Sequence, residues 1–125
     1  MLTHVQIVHV PVSDQDRALD FYVRQLGMAV VTDLSMGPHG RWLQVVPEGA
    51  ATSLALVPGT AAVPPGSVFG LVFETDDLDG DVAELRDRGV QLPSEIDDMP
   101  WGRAVQFTDP DGNHLVLQSP AVRHG

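Results

Sequence analysis

Residues 12–22 read VSDQDRALDFY and residues 75–85 read TDDLDGDVAEL, so the chain carries two stretches that are built alike. Each follows an apolar run, contains an aspartate suited to cap a helix, and continues with apolar residues at helical spacing. A glycine, Gly27 or Gly89, then ends each stretch. The repeat predicts two similar units that pack against each other around a cleft, and a cleft favours a binding site.

Composition limits the function classes open to this chain. Its 125 residues, 43% of them hydrophobic, suffice for one globular domain with a core. The chain has no cysteine, which excludes disulfides, thiolate metal sites and cysteine nucleophiles. All seven basic residues are arginine, which excludes Schiff-base chemistry on a lysine.

Charge and hydropathy narrow the partners and the location. A formal net charge of -10 opposes binding to nucleic acid or to an anionic membrane, because both depend on basic side chains. No apolar run approaches the roughly 20 residues that a membrane-spanning helix needs, and the first residues lack the pattern of a secretory signal. We therefore expect a cytoplasmic protein with no nucleic-acid or membrane partner.

The first half of the chain predicts one βαβββ unit over residues 1–58. Val8, Val10 and Val12 alternate along a strand and should meet a helix, while Ser13 and Asp16 form an imperfect capping box at its start. The expected strands cover residues 5–12, 29–34, 41–47 and 53–57.

The second half predicts a second unit over residues 68–120, after a linker at 59–67 that is rich in proline and glycine. Asp77 is the expected N-cap of its helix, and Asp109 and Asp111 belong to a tight turn. The expected strands cover residues 68–73, 90–94, 103–108 and 114–118.

Several of these stretches, in this order, carry a family resemblance. They are residues 12–14 (VSD), 17–18 (RA), 21–22 (FY), 26–27 (LG), 73–78 (FETDDL) and 107–113 (FTDPDGN). The chain thus resembles the vicinal oxygen chelate superfamily, which includes glyoxalase I, extradiol dioxygenases, and fosfomycin and bleomycin resistance proteins. The resemblance implies an α+β fold of two βαβββ modules, with curved mixed sheets around a cleft, usually in a homodimer.

The resemblance also implies four positions at which metal-dependent members hold histidine, glutamine or glutamate. In this chain those positions are Ile7, Ala55, Gly70 and Val116. None of these side chains can coordinate a metal, because a divalent cation needs oxygen or nitrogen donors. The sequence therefore predicts no standard metal site and no bound cofactor.

Three nearby polar residues offer a displaced alternative. By strand alternation His9, Glu74 and His114 share faces with three of the metal positions, Ile7, Gly70 and Val116 respectively. One interpretation gives them a shifted divalent metal, or gives Glu74 and His9 metal-free acid-base catalysis with a carboxyl pKa raised by desolvation. The other makes them polar groups that line a pocket or are hydrogen-bonded at its edge.

Aromatic and basic residues suggest a ligand pocket. Trp42 with Gln44, and Trp101 with Arg103, lie on two strands, where flat indoles suit planar ligands. The tryptophans are equally suited to a structural role, in the core or at a dimer interface, and both the pocket role and the structural role predict that they are mostly buried. Arg41 and Arg103 either bind a ligand carboxylate or pair with acidic residues of the chain.

Two functional hypotheses follow. The first is a small-molecule binding protein without metal, of the bleomycin-resistance type, that sequesters a planar or cationic compound through His9, Trp42, Gln44, Glu74, Trp101, Arg103 and His114. The second is an enzyme of the same fold, a lyase, isomerase or dioxygenase-like oxidoreductase. Metal content and turnover distinguish them.

Overall fold

The computed structural model describes residues 1–93 and 95–120, which form two βαβββ modules. The first module consists of β1 (Ile7–Val12), α1 (Gln15–Leu19), β2 (Ala29–Ser35), β3 (Arg41–Val46) and β4 (Ser53–Pro58). The second consists of β5 (Leu71–Glu74), α2 (Leu78–Asp87), β6 (Asp97–Met99), β7 (Gly102–Thr108) and β8 (His114–Pro120). A π-helical segment (Asp20–Gln25) continues α1, and a 3-10 turn (Gly37–His39) joins β2 to β3.

Each module contributes a four-stranded mixed sheet. The strand orders are β1-β4-β3-β2 and β5-β8-β7-β6, so the two sheets have the same topology. In both, the first strand pairs in parallel with the fourth, and the remaining pairs are antiparallel. The predicted α+β fold with duplicated modules is confirmed.

The two helices begin at aspartates. Asp77 accepts a hydrogen bond from the backbone N–H of Gly80 at 3.1 Å, which confirms it as the N-cap of α2. At α1 the capping-box prediction is wrong: the cap is Asp14, whose carboxylate accepts from the backbone N–H of Arg17 at 3.1 Å. Ser13 is held differently, because its backbone N–H donates to the Asp111 carboxylate across the chain.

The first helix widens into a π-helical segment. Its bonds include Leu26 N–H to the Phe21 carbonyl, 2.9 Å, and both Phe21 and Tyr22 are buried on the inner side. Gly27 then ends the segment in the left-handed conformation at φ 81°, which glycine adopts without steric cost. Among the residues described, no helix is both long and apolar enough to cross a bilayer.

Two strands of the second module differ from their predicted positions: β5 begins at Leu71 rather than at residue 68, and the strand expected near 90–94 forms later in the chain. The strand expected at 90–94 is not formed by its described residues: Val90 and Leu92 pack on the core without pairing in a ladder, and residue 94 lies outside the described part. β6 forms later, at Asp97–Met99, because these residues pair with β7 across a tight hairpin. The apolar residues Val90 and Leu92 alternate as in a strand because both pack on the core, although neither pairs with another strand.

One core joins the modules. It consists of the helix-facing residues of both sheets together with both helices, among them Val10, Val12, Leu43, Leu56, Leu78, Val82, Leu85, Leu115 and Leu117. The valine face predicted for β1 is thus confirmed. Since both sheets turn their apolar faces to this shared core, their opposite faces lie outside it.

A buried polar network fixes the contact between modules. The Tyr22 hydroxyl donates to the Asp109 carboxylate at 2.8 Å, and the Asn113 amide donates to Asp109 and to the carbonyl of Pro11. Tyr22 and Asn113 are fully buried and Asp109 nearly so. Residues 109–113 thus form a tight turn, as predicted, and side chains of this turn also form hydrogen bonds with the first module.

Candidate binding faces

The strand register defines one face of each sheet that points away from the shared core. His9, Ala55 and Gln44 pair side by side in the first sheet, opposite the buried valines; we call this side the first open face. Val72 pairs with Val116, and Glu74 with Gln118, in the second sheet, and we call this side the second open face. All the candidate ligand residues on strands β1, β3, β5 and β8 lie on these faces.

The first open face holds an indole in a fixed position. Trp42 donates its indole N–H to the Gln44 side chain at 3.1 Å, and Gln44 donates in turn to the Ser53 hydroxyl at 2.7 Å. The His9 ring meets Trp42 edge to face, with ring centroids 5.8 Å apart. Because the indole donor already has a partner and the ring is supported from one side, its orientation is set before any ligand arrives.

The second open face carries a stacked pair of rings. His114 lies 4.3 Å from Phe69 between centroids, with an 11° interplanar angle, and Phe69 is 84% exposed. The Gly70 backbone N–H donates to His114 Nδ1 at 2.9 Å, so Nε2 carries the proton that it shares with Gln106 Oε1 at 2.7 Å. Both ring nitrogens of His114 therefore have partners within the chain.

The four metal positions implied by the resemblance do not fit a metal. Ile7 and Ala55 lie on the first open face, and Gly70 and Val116 lie at the second, as strand alternation predicts. Aliphatic side chains and a glycine provide no donor atoms for a divalent ion. In residues 1–93 and 95–120, moreover, no three histidine, aspartate or glutamate side chains group closely enough to hold one.

Trp101 corrects one expectation. The sequence predicts that both tryptophans are mostly buried, yet Trp101 is 62% exposed, whereas Trp42 is half-buried. Trp101 lies in the turn between β6 and β7, outside the paired strands. In a single chain it is an exposed indole at the end of a hairpin.

The two arginines beside these indoles are engaged with acidic residues. Arg41 bonds Asp33 in a bidentate pair at 2.7 and 2.8 Å and also reaches Asp16 at 2.6 Å. These carboxylates hold the pKa of Arg41 above its usual range. Arg103 pairs in the same way with Asp79 and, more loosely, with Asp98. A ligand carboxylate would have to compete with these partners.

Glu74 lies in a different setting from the enclosed cleft expected of it. It ends β5, which lies at the edge of the second sheet, and it is exposed. In the part of the chain that the structure describes, it makes no hydrogen bond to His9, which lies on the other sheet. The structure does not assemble the acid-base pair.

Sequence reasoning missed the buried network and the exposed ring. Tyr22 and Asp109 are 87 positions apart, and no local pattern links them. Phe69 is not among the predicted site residues. The adjacent Gly70, which has a positive φ of 78° and precedes β5, is the local signal that interrupts the strand predicted at 68–73.

A family model supports the resemblance. The model described as Glyoxalase/Bleomycin resistance protein/Dioxygenase superfamily matches residues 2–117. A protein of Bacillus subtilis strain 168 called YetH is 36% identical over 121 residues, which cover 94% of this chain and 99% of that protein.

Solved structures are similar as well. TnmS3, described as an antibiotic binding protein from Streptomyces sp. CB03234, is 50% identical with a TM-score of 0.89, and the match covers 96% of this chain and 98% of that one. A superfamily member from Sphaerobacter thermophilus DSM 20745 is 38% identical with a TM-score of 0.84, over 94% and 98% of the two chains. The two sheets, their shared topology and these matches show that the chain belongs to the glyoxalase/bleomycin resistance protein/dioxygenase superfamily.

Proposed function

We propose that this protein binds a small planar or cationic compound on its open faces, without metal, and sequesters it unchanged. The observation that carries the proposal is the fixed indole of Trp42, supported by Gln44 and His9 on an uncovered sheet face. Similarity to TnmS3, whose description is an antibiotic binding protein, supports a binding role.

The geometry suits a flat ligand. An indole whose N–H is already bonded offers its π-face as contact surface, and a well-placed aromatic pair contributes about 0.5–1.5 kcal/mol beyond burial of area. Gln44 and Ser53 use their bonds to hold Trp42, so they position the ring rather than contact the ligand directly. The net charge of -10 raises the local concentration of cations near the surface.

We further propose that two copies form a homodimer that closes the site. In one chain the apolar residues Leu34, Phe69, Val72 and Trp101 are 52–84% exposed. Exposed apolar groups on two sheets are typical of surfaces that a partner covers. A second copy laid across the open faces would enclose Trp42 together with residues of the opposite module, and would bury Trp101.

Tryptophan fluorescence tests the binding proposal. The chain has two tryptophans, so Trp101→Phe isolates Trp42 and Trp42→Phe isolates Trp101. A panel of planar aromatic cations and polycyclic compounds is titrated into each variant. We expect saturable quenching wherever Trp42 remains, with weaker binding when it is replaced.

Mass spectrometry of the recovered compound separates binding from catalysis. We expect the compound to return unchanged after long incubation, and chelator to leave the titration curve unaltered. Conversion of the compound, especially conversion that chelator abolishes, would establish the enzyme alternative instead. Sedimentation of the protein with and without ligand tests the homodimer.

A further inference from the structure

A cavity of about 240 Å³ lies between the two modules on the helix side, away from the first open face. We call it the seam pocket; its principal lining residues are Met28, Glu48, Glu74, Leu85, Phe107 and Leu117. We propose that the seam pocket binds a small organic monocation, an ammonium group attached to an apolar body about the size of a phenyl ring. This inference does not rest on the proposed function, because only Glu74 is common to the two sets of residues.

The floor of the seam pocket consists of apolar core residues whose side chains remain slightly exposed. Met28, Leu85, Phe107 and Leu117 each keep 7–8% exposure, whereas core residues away from the cavity, such as Leu43, have none. These four side chains converge from the end of the first helical segment, from α2 and from the second sheet. An apolar ligand body that fills the pocket removes their remaining exposed surface from water.

Volume sets the size of the ligand. A dry apolar cavity of about 150 Å³ holds a benzene molecule in another protein. The seam pocket is larger, at about 240 Å³. It therefore accommodates a phenyl ring with a short alkyl chain.

The charged side chains that line the seam pocket favour a cationic ligand. The lining includes the four carboxylates of Glu48, Glu74, Asp81 and Glu84 and a single guanidinium, that of Arg88. Arg88 is already paired with Glu84, and Asp81 accepts from the Thr75 hydroxyl.

Two carboxylates remain for a ligand. Over residues 1–93 and 95–120, the side-chain carboxylates of Glu48 and Glu74 have no hydrogen-bond or ion-pair partner, whereas the backbone of Glu74 pairs with that of Gln118. An ammonium group placed between them, with its apolar body in the pocket, meets complementary charge and loses little hydration because the mouth is open.

NMR signals of the methionine methyl groups test whether the probe 2-phenylethylammonium binds in the seam pocket. The chain has four methionines, of which only Met28 lines the seam pocket. In protein labelled with ¹³C-methyl methionine, we expect the Met28 signal to shift saturably while those of Met36 and Met99 stay in place. The neutral analogue 2-phenylethanol should bind about tenfold more weakly.

Charge variants distinguish a specific contact of the probe with Glu48 and Glu74 from general attraction of a cation to an acidic protein. Glu48→Gln with Glu74→Gln should weaken binding of the ammonium probe about fivefold, as expected from the loss of two partly exposed ion pairs. It should leave binding of 2-phenylethanol unchanged. The control is Asp76→Asn with Asp87→Asn, which removes the same formal charge from exposed positions outside the pocket, and it should change affinity less than twofold.

Three results would overturn the inference. They are a Met28 signal that does not move at millimolar probe, equal affinity for the alcohol and the ammonium compound, and equal weakening by the two pairs of substitutions. A Trp42 fluorescence response with a silent Met28 would support the open-face proposal while ending this one.

Discussion

Replacing Tyr22 by phenylalanine tests whether the modules are joined by the buried network. The Tyr22 hydroxyl donates to Asp109 at 2.8 Å in a fully buried setting, and a hydrogen bond to a charged group contributes about 1.5–3 kcal/mol. Asp109 keeps its other donors, the backbone N–H groups of Asp111 and Asn113 and the Asn113 amide, so the carboxylate is not left unsatisfied.

We therefore expect Tyr22→Phe to lower the free energy of unfolding by about 2 kcal/mol, near the lower part of that range. For a domain of this size such a loss reduces Tm by roughly 6–10 °C. Urea denaturation followed by circular dichroism measures it. The ring remains, so packing of Phe21 and the core should not change.

The same residue gives a pH dependence of known sign. Burial raises the pKa of Tyr22 well above its usual range, and the charge and hydrogen bond of Asp109 raise it further. In the unfolded chain tyrosine ionises near pH 10, so below that pH the contribution to stability is complete. Above pH 10 the unfolded state loses its proton first, and stability falls by about 1.4 kcal/mol per pH unit.

Tyr22 is the chain's only tyrosine, so ultraviolet absorbance of tyrosinate reports this group alone. We expect tyrosinate to form only as the protein unfolds, and the stability difference between wild type and Tyr22→Phe to shrink above pH 10. Tyrosinate formed in the folded protein near pH 10, together with a variant as stable as wild type, would refute the argument.

Three further predictions concern backbone positions and metal. Gly66→Ala should lower the free energy of unfolding by more than about 2 kcal/mol, because φ is +85° and a Cβ would lie 2.3 Å from the Asp111 carbonyl oxygen. Its control is Gly37→Ala, at φ +59° with open space around it, which should lower the free energy of unfolding only by the conformational strain, about 1 kcal/mol. Asp77→Ala should lower unfolding free energy by about 1 kcal/mol by removing the cap bonded to Gly80, measured by the same denaturation; an unchanged midpoint would contradict the cap. Prolonged dialysis against chelator should leave Tm within error, and a fall that zinc or manganese restores would reveal a metal site.

The duplicated modules were predictable because their signals are local. An aspartate before an apolar helical pattern marked α2, and alternating valines marked β1, since burial on one face imposes a period of two. The same rule misplaced the strand after α2. Val90 and Leu92 alternate because they cover the core, while Asp97 and Asp98 have poor strand propensity and become a strand only through pairing with β7.

The candidate site was only partly predictable, since its members meet across strands. Alternation along β3 puts Trp42 and Gln44 on one face, which the sequence indicates, whereas the contact of Gln44 with Ser53 depends on the pairing of β3 with β4, which it does not. Trp101 was misjudged because large apolar area argues for burial, whereas its position in a hairpin turn prevents it within one chain.

The arrangement of the core explains how the family's metal positions can be occupied by Ile7, Ala55, Gly70 and Val116 without loss of the fold. The sheets meet the helices on one side and carry those positions on the other, so metal ligands contribute donors to a site but not packing to the shared core. Under the alignment that the resemblance implies, exchanging side chains at these positions leaves the buried valines and leucines as they are. If the protein binds its ligand without metal, as we propose, the indole of Trp42, held by Gln44 and His9, is the group that this face presents to the ligand.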